Sequence, residues 1–276
     1  MPARGTRQSV FPARLLAAAF RSLVSWAIIG LLTWLVTASM TVCAFVLWPV
    51  DTKRTCPHWL ATLWGRAVFA CHPSWPVTVT GREHLDPRQP SILIANHQSQ
   101  LDIMALYHVR HQFKWVVKAS LFDIPFLGWG MSGAGYIKLA RGRYASVRQT
   151  YDRAKEWLAQ GMSVFFFPEG TRSQGSQPGP FKDGAFRLAL ETGVPVVPIA
   201  ITGTRGLLKR GSWLFHRRAH VQIAILPPLD PTRYREAGPD RFKEDARALI
   251  EQTLHALKRS AVPGSTRSAA PSRRKP

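Results

Sequence analysis

Residues 22–50 of this 276-residue chain carry no charged side chain. A helix rises about 1.5 Å per residue and needs roughly 20 predominantly apolar residues to cross a bilayer, so this run is long enough to span one. It exceeds the apolar core of a secretory signal, and Val42 rather than a small residue precedes Cys43, which argues against lipoprotein cleavage. We therefore expect a transmembrane helix over 22–50, preceded by a basic segment over 1–21 that holds Arg4, Arg7, Arg14 and Arg21. Lys53, Arg54 and Arg66 follow the span, so positive charge on its two sides nearly balances and does not orient it.

Over 51–75, Trp59, Leu60, Leu63, Trp64, Ala67, Val68 and Cys71 recur at helical spacing. The segment reads as an interfacial amphipathic helix, and packing on the rest of the chain would use the same stripe. Charge agrees with a surface partner: 37 Lys and Arg against 16 acidic residues give a net +21, which seeks a membrane face, nucleic acid or a phosphorylated substrate. Ten Trp, several in or beside the apolar run, favour the membrane over base stacking, so no nucleic-acid partner is expected. Cys43, Cys56 and Cys71 write no disulfide framework, and the nine His form no ligand-spaced cluster, so no metal is expected.

Beyond Pro76 short β-branched and aromatic runs alternate with amphipathic segments. Strands are predicted over 77–80, 92–95, 115–118, 135–138, 163–167, 196–201 and 221–226. Ser146 with Gln149 opens a helix that Gly161 ends, 181–192 reads as a helix stopped by Gly193, and a last helix covers 240–258. The predicted class is α/β, a central mostly parallel sheet with flanking helices, preceded by an N-terminal membrane-spanning or membrane-embedded helical segment. Residues 260–276 are a basic tail of Ser, Pro, Ala and Arg, without the apolar content to bury a core and expected to be disordered.

Strand ends in such sheets are where ligands bind. The 92–95 strand runs into Asn96-His97-Gln98-Ser99-Gln100-Leu101-Asp102. On one regular helix His97 and Asp102 would point about 140° apart, so they meet only if His97 lies in the turn before the helix. Ser99 and Asp102 at capping-box spacing supply that break, and the same spacing allows Asp102 a purely structural role. A neutral imidazole oriented by a carboxylate suits deprotonation of an alcohol that attacks a thioester. No G-x-S-x-G elbow is present, which favours direct attack over a covalent acyl-enzyme. A second strand ends in Phe167-Pro168-Glu169-Gly170-Thr171-Arg172-Ser173, where Gly170 permits backbone approach and Arg172 can grip a phosphate with Thr171 and Ser173 as further donors. Arg141, after a third strand, and Lys182 can join the same anionic group.

These blocks resemble the glycerophospholipid acyltransferase family, most closely its 1-acylglycerol-3-phosphate O-acyltransferase branch. The resemblance rests on Asn96 to Asp102, Gly135 to Arg141, Phe167 to Ser173 and Val194-Pro195-Val196-Val197-Pro198-Ile199-Ala200, in that order. It implies an acyltransferase domain over 76–259, with His97 as base and Asp102 as its partner. Arg141, Glu169, Gly170, Thr171, Arg172, Ser173 and Lys182 would be substrate-binding. No cofactor is implied; acyl-CoA or acyl-acyl carrier protein is the co-substrate, lysophosphatidic acid the acceptor and membrane lipids the partners. The expected place is the inner cell membrane with the catalytic domain facing the cytoplasm. Many members carry an acidic residue just before the second-block Arg, and here that position is Ala140. The departure leaves room for another lysolipid acceptor. A non-catalytic basic protein that binds lipid or nucleic acid is the reading from a different class.

Overall fold

The computed structural model describes residues 10–140, 142, 144–173, 175, 177–208, 211–216 and 218–260. Arg141, the start of the basic N-terminal segment and the tail from 261 onward lie outside the described residues.

The apolar run forms α1 (Val10–Val46), whose stretch Leu15–Val46 is long and apolar enough to cross a membrane. Its buried positions, Ser22, Ser25, Ile29, Thr37, Met40 and Ala44, recur at helical spacing and make one packed stripe. Leu16, Phe20, Leu31 and Phe45 stay exposed on the rest of the helix. Thr33, Thr37 and Thr41 each donate to the carbonyl four residues earlier, which satisfies their hydroxyls inside the helix itself. The Asp51 carboxylate then accepts the amides of Thr55 and Cys56 and opens α2 (Thr55–Ala70).

The packed face of α2 is rotated from the expected stripe. His58, Ala61, Thr62, Gly65, Val68 and Phe69 are buried, while Trp59 and Leu63 face outward. Polar residues are admitted because each has a partner: His58 meets the Tyr136 hydroxyl, and Thr62 donates to the His58 carbonyl. Gly65 permits the close crossing, since a Cβ there would stand 2.7 Å from both the Met104 carbonyl and the Tyr107 ring.

The rest of the chain runs β1 (Val77–Thr80), β2 (Ile92–Ala95), α3 (Leu101–Leu106), β3 (Phe113–Lys118), α4 (Leu127–Gly133), β4 (Ile137–Leu139) and α5 (Tyr144–Ala159). It continues through β5 (Ser163–Phe166), α6 (Gly184–Thr192), β6 (Val196–Thr202), α7 (Thr204–Leu207), β7 (Val221–Ile225) and α8 (Gly238–Ser260). The strands lie in the order β1-β7-β6-β2-β5-β3-β4, and every neighbouring pair is parallel except β6 with β7. The mostly parallel α/β expectation holds.

Alternation along the strands divides the interior into two layers. Leu93, Ala95, Phe113, Trp115 and Phe165 pack toward α1, α2 and α3, whereas Ile92, Ile94, Ile137 and Val164 pack toward α5, α6 and α8. α4 also lies on α1, with Gly130 and Gly133 against Thr37 and Ala44; a Cβ on either glycine would come within 2.9 Å or less of those residues.

α1 starts at Val10 rather than 22 and ends at Val46 rather than 50, and β3 starts at Phe113 rather than 115; three further boundaries that differ from expectation have a visible cause. β4 begins at Ile137 because Gly135, at φ 69°, and Tyr136 still close the turn after α4. α5 starts at Tyr144, and the Ser146 hydroxyl oxygen accepts the Ala140 amide instead of capping the helix. α6 starts at Gly184 rather than 181, since the Lys182 amide is committed to the Pro168 carbonyl.

Candidate active site

Asn96 ends β2 by imitating backbone. Its side-chain amide donates to the Ile201 carbonyl at 2.9 Å and accepts the Ile201 amide at 2.9 Å. That side-chain pairing with β6 leaves the main chain free to turn, which puts His97 in the loop ahead of α3 as its spacing to Asp102 requires. His97 Nδ1 lies 2.8 Å from Asp102 Oδ2. The carboxylate can only accept, so Nδ1 carries the proton and Nε2 presents its lone pair. The ring rests on Phe167 at 4.1 Å between centroids and 18° between planes.

Asp102 is fully buried and receives three further donors: the amides of Gln98 at 2.5 Å and Ser99 at 2.8 Å on Oδ2, and the Thr204 hydroxyl at 2.5 Å on Oδ1. The carboxylate therefore performs both roles its spacing allowed, holding the loop before α3 and orienting the imidazole.

The loop after β5 is bound to the His97 loop in both directions. Glu169 is buried and accepts the His97 amide at 2.8 Å, the Ser173 hydroxyl at 2.6 Å and the Gly179 amide at 2.8 Å. The Ser173 amide donates to the His97 carbonyl at 2.7 Å. Glu169 and Ser173 thus form the framework of the site rather than a free contact surface. Gly170, at φ 69°, lines the cavity beside His97, and a Cβ there would stand 3.3 Å from Lys182 Nζ. Lys182 is exposed beside Gly170, while Thr171 is exposed and Arg172 half-buried on the loop that follows it.

From His97 and Gly170 an apolar cavity of about 300 Å³ runs between the sheet and the N-terminal helices. Thr37 and Met40 of α1, Trp64 of α2, Trp115 and Tyr136 line it. A directed chain of hydrogen bonds stiffens its wall. Trp115 Nε1 lies 3.0 Å from the Tyr107 hydroxyl, which is 2.9 Å from the Tyr136 hydroxyl; that group is 3.1 Å from His58 Nδ1, and His58 Nε2 is 3.0 Å from the His111 carbonyl. The carbonyl accepts only, so Nε2 donates to it, Tyr136 donates to Nδ1 and Tyr107 donates to Tyr136. Burial pulls His58 down to about 3, which keeps the ring neutral in this role.

Sequence reasoning missed Thr204, Lys118, which lines the cavity, and Arg205, which donates to the Ser173 carbonyl at 2.6 Å. None of the three sits in a chemically marked pattern. Arg141 lies outside the described residues.

The arrangement can take a proton from a hydroxyl at the mouth of an apolar cavity rimmed by cations. Residues 76–202 match the model of the acyltransferase family. Over 203 residues the chain is 37% identical to a 1-acyl-sn-glycerol-3-phosphate acyltransferase of Chlamydomonas reinhardtii, covering 73% of this chain and 59% of that one. A Saccharomyces cerevisiae protein of the same name is 31% identical over 220 residues, 78% of this chain and 72% of its own. The Salmonella typhimurium protein of that name is 33% identical over 172 residues, covering 60% and 68%. The chain spans only 57–60% of the algal and two chloroplast relatives it matches. In fold it is similar to the crystal structure of the 1-acyl-sn-glycerophosphate acyltransferase PlsC of Thermotoga maritima, with a TM-score of 0.75, 24% identity and coverage of 89% and 98%.

Proposed function

The chain belongs to the acyltransferase family, and on that premise we propose that it moves a fatty acyl group from a thioester to the free hydroxyl of 1-acylglycerol-3-phosphate, giving phosphatidic acid. The observation that carries this reading is the oriented His97–Asp102 pair at the mouth of an apolar cavity. Nε2 of His97 accepts the hydroxyl proton as the oxygen attacks the thioester carbonyl, and the same nitrogen returns the proton to the departing thiolate. Asp102 holds the tautomer and stabilises the imidazolium formed between the two steps. The donor is acyl-CoA or acyl-acyl carrier protein, and its chain, or that of the acceptor, occupies the cavity.

Arg172 and Lys182 suit the acceptor's phosphate, with Arg141 as a further candidate on sequence grounds. The exposed apolar faces of α1 and α2 suit a bilayer. Because the packed stripe of α1 extends from Ser22 to Ala44, the helix and its domain travel together, which favours a helix embedded alongside the domain over one that crosses clear of it. We place the domain on the cytoplasmic face of the inner membrane, the side that holds acyl thioesters.

A panel of lysolipids offered with acyl-CoA and with acyl-acyl carrier protein, with products identified by mass spectrometry, tests the assignment. Phosphatidic acid from lysophosphatidic acid supports it. Product only from another lysolipid replaces the acceptor, an outcome Ala140 makes worth including, and no product from any pairing refutes the activity.

A further inference from the structure

A second cavity, of about 390 Å³, lies at the opposite end of the strands from His97. It is lined by Ala44, Phe45 and Trp48 at the end of α1, by Gly135 just before β4, and by Arg54, Arg153 and Trp157. Two guanidinium groups rest on indole faces: Arg54 on Trp48 at 3.9 Å and Arg153 on Trp157 at 4.7 Å. Behind Trp157 lies Lys114, fully buried, its ammonium 4.7 Å from the ring and hydrogen-bonded to the carbonyls of Arg54 and Ala134.

Among the described residues this cation cluster holds a single ion pair, that of Arg153 with Glu156. Asp51, whose charge acts on Lys114, has its oxygens committed to Thr55 and Cys56 at the start of α2. Glu156 pairs with Arg153, but both partners are about half exposed, and such a pair contributes little. No carboxylate pairs with Arg54 among the described residues. One donor is also unmet among the described residues: Trp157 is 2% exposed, and its Nε1 is buried without an acceptor there. Gly135 is shaped around that ring, since a Cβ there would stand 2.5 Å from it. The cavity therefore offers the positive charge of Arg54 and Arg153 to an acceptor that is itself anionic. Beside it, Phe45, Val46, Trp48 and Val50 form an exposed apolar surface continuous with the outer face of α1. A ligand that complements both parts carries a phosphate and apolar tails.

We propose that this cavity binds the phosphate of an anionic glycerophospholipid of the surrounding membrane, with its tails along the exposed face of α1. The inference does not rest on the acyl-transfer reading, because the cavity and His97 occupy opposite ends of the sheet. Native mass spectrometry of the full chain in detergent, titrated with phosphatidylglycerol, phosphatidylcholine or sn-glycerol 3-phosphate, tests it. One phosphatidylglycerol should be retained in preference to phosphatidylcholine, and the tailless phosphate should not be retained at the same concentration. Arg54→Gln with Arg153→Gln should weaken that binding about tenfold or more, as expected for lost charge-assisted hydrogen bonds. Arg233→Gln with Arg235→Gln, on an exposed turn, should leave it unchanged. If the first pair fails to fold, Arg153→Gln alone, which breaks an exposed ion pair and the stacking on Trp157, must weaken binding about threefold or more. Equal retention of phosphatidylcholine, equal retention of glycerol phosphate, or loss of binding in Arg172→Gln instead of the Arg54 and Arg153 variants overturns the proposal.

Discussion

Removing the Thr204 hydroxyl is a severe test of how the dyad is held. Thr204→Val keeps the shape of the side chain and deletes the one hydrogen bond to Asp102 Oδ1 seen among the described residues, while Oδ2 keeps its bonds to His97, Gln98 and Ser99. A hydrogen bond to a buried charged group contributes about 1.5–3 kcal/mol, so the folded state should lose about 2 kcal/mol. The three remaining donors keep the carboxylate in place but no longer fix its plane. If roughly 1.4–2 kcal/mol of that loss reaches the transition state, kcat falls about 10- to 30-fold. KM for the lysolipid should not change, because Thr204 is buried behind Asp102 and away from the cavity. Initial rates at saturating donor across a range of acceptor concentrations separate the two constants. Thr204→Ser, which retains the hydroxyl, should recover most of the rate. Wild-type kcat in Thr204→Val, or an effect confined to KM, would refute the positioning role.

Two further outcomes follow from buried groups. Desolvation lowers Lys114 from 10.5 to about 7, with Arg54 and Arg153 adding to the shift and Asp51 opposing it. The unfolded chain therefore binds the extra proton between those two values, so stability rises with pH across that window and the burial cost is fullest below about pH 7. Lys114→Met should raise the thermal midpoint in detergent, most at pH 6.5 and least near pH 10, by at most about 5 kcal/mol of stability; a shift independent of pH contradicts this. Tyr136→Ala should enlarge the apolar cavity and strand His58 Nδ1, lowering stability by about 3–5 kcal/mol and shifting preference toward longer or bulkier acyl chains in a competition assay. An unchanged product profile from a folded Tyr136→Ala would remove Tyr136 from the cavity wall that selects the chain.

The sheet and the contact of His97 with Asp102 were legible because their signals are local. Ile92 to Ala95 is a short apolar strand, and the interval between His97 and Asp102 works only across a loop-to-helix break, which Asn96 and Ser99 help to make. The face of α2 was not legible, since hydropathy ranks Trp59 and Leu63 above His58, Thr62 and Gly65, and only the neighbours of those polar residues reveal why they go inside. Thr204 and Asp102 stand 102 residues apart, and the parallel pairing of β2 with β6 brings them together. Glu169 and Ser173 show a related gap: a motif names residues near a ligand without telling which of them also tie the loops of the site together. The basic cavity draws its cations from Arg54, Lys114 and Arg153, three separate elements whose charges look like ordinary surface in one dimension.

The central claim is that Nε2 of His97 is the base for acyl transfer. Membranes carrying wild type or His97→Ala at matched amounts, supplied with a thioester donor and lysophosphatidic acid, test it by the rate of phosphatidic acid formation. The account predicts that the variant loses about 10²- to 10⁴-fold in rate while its thermal midpoint stays close to that of the wild type. Wild-type turnover by folded His97→Ala would contradict it.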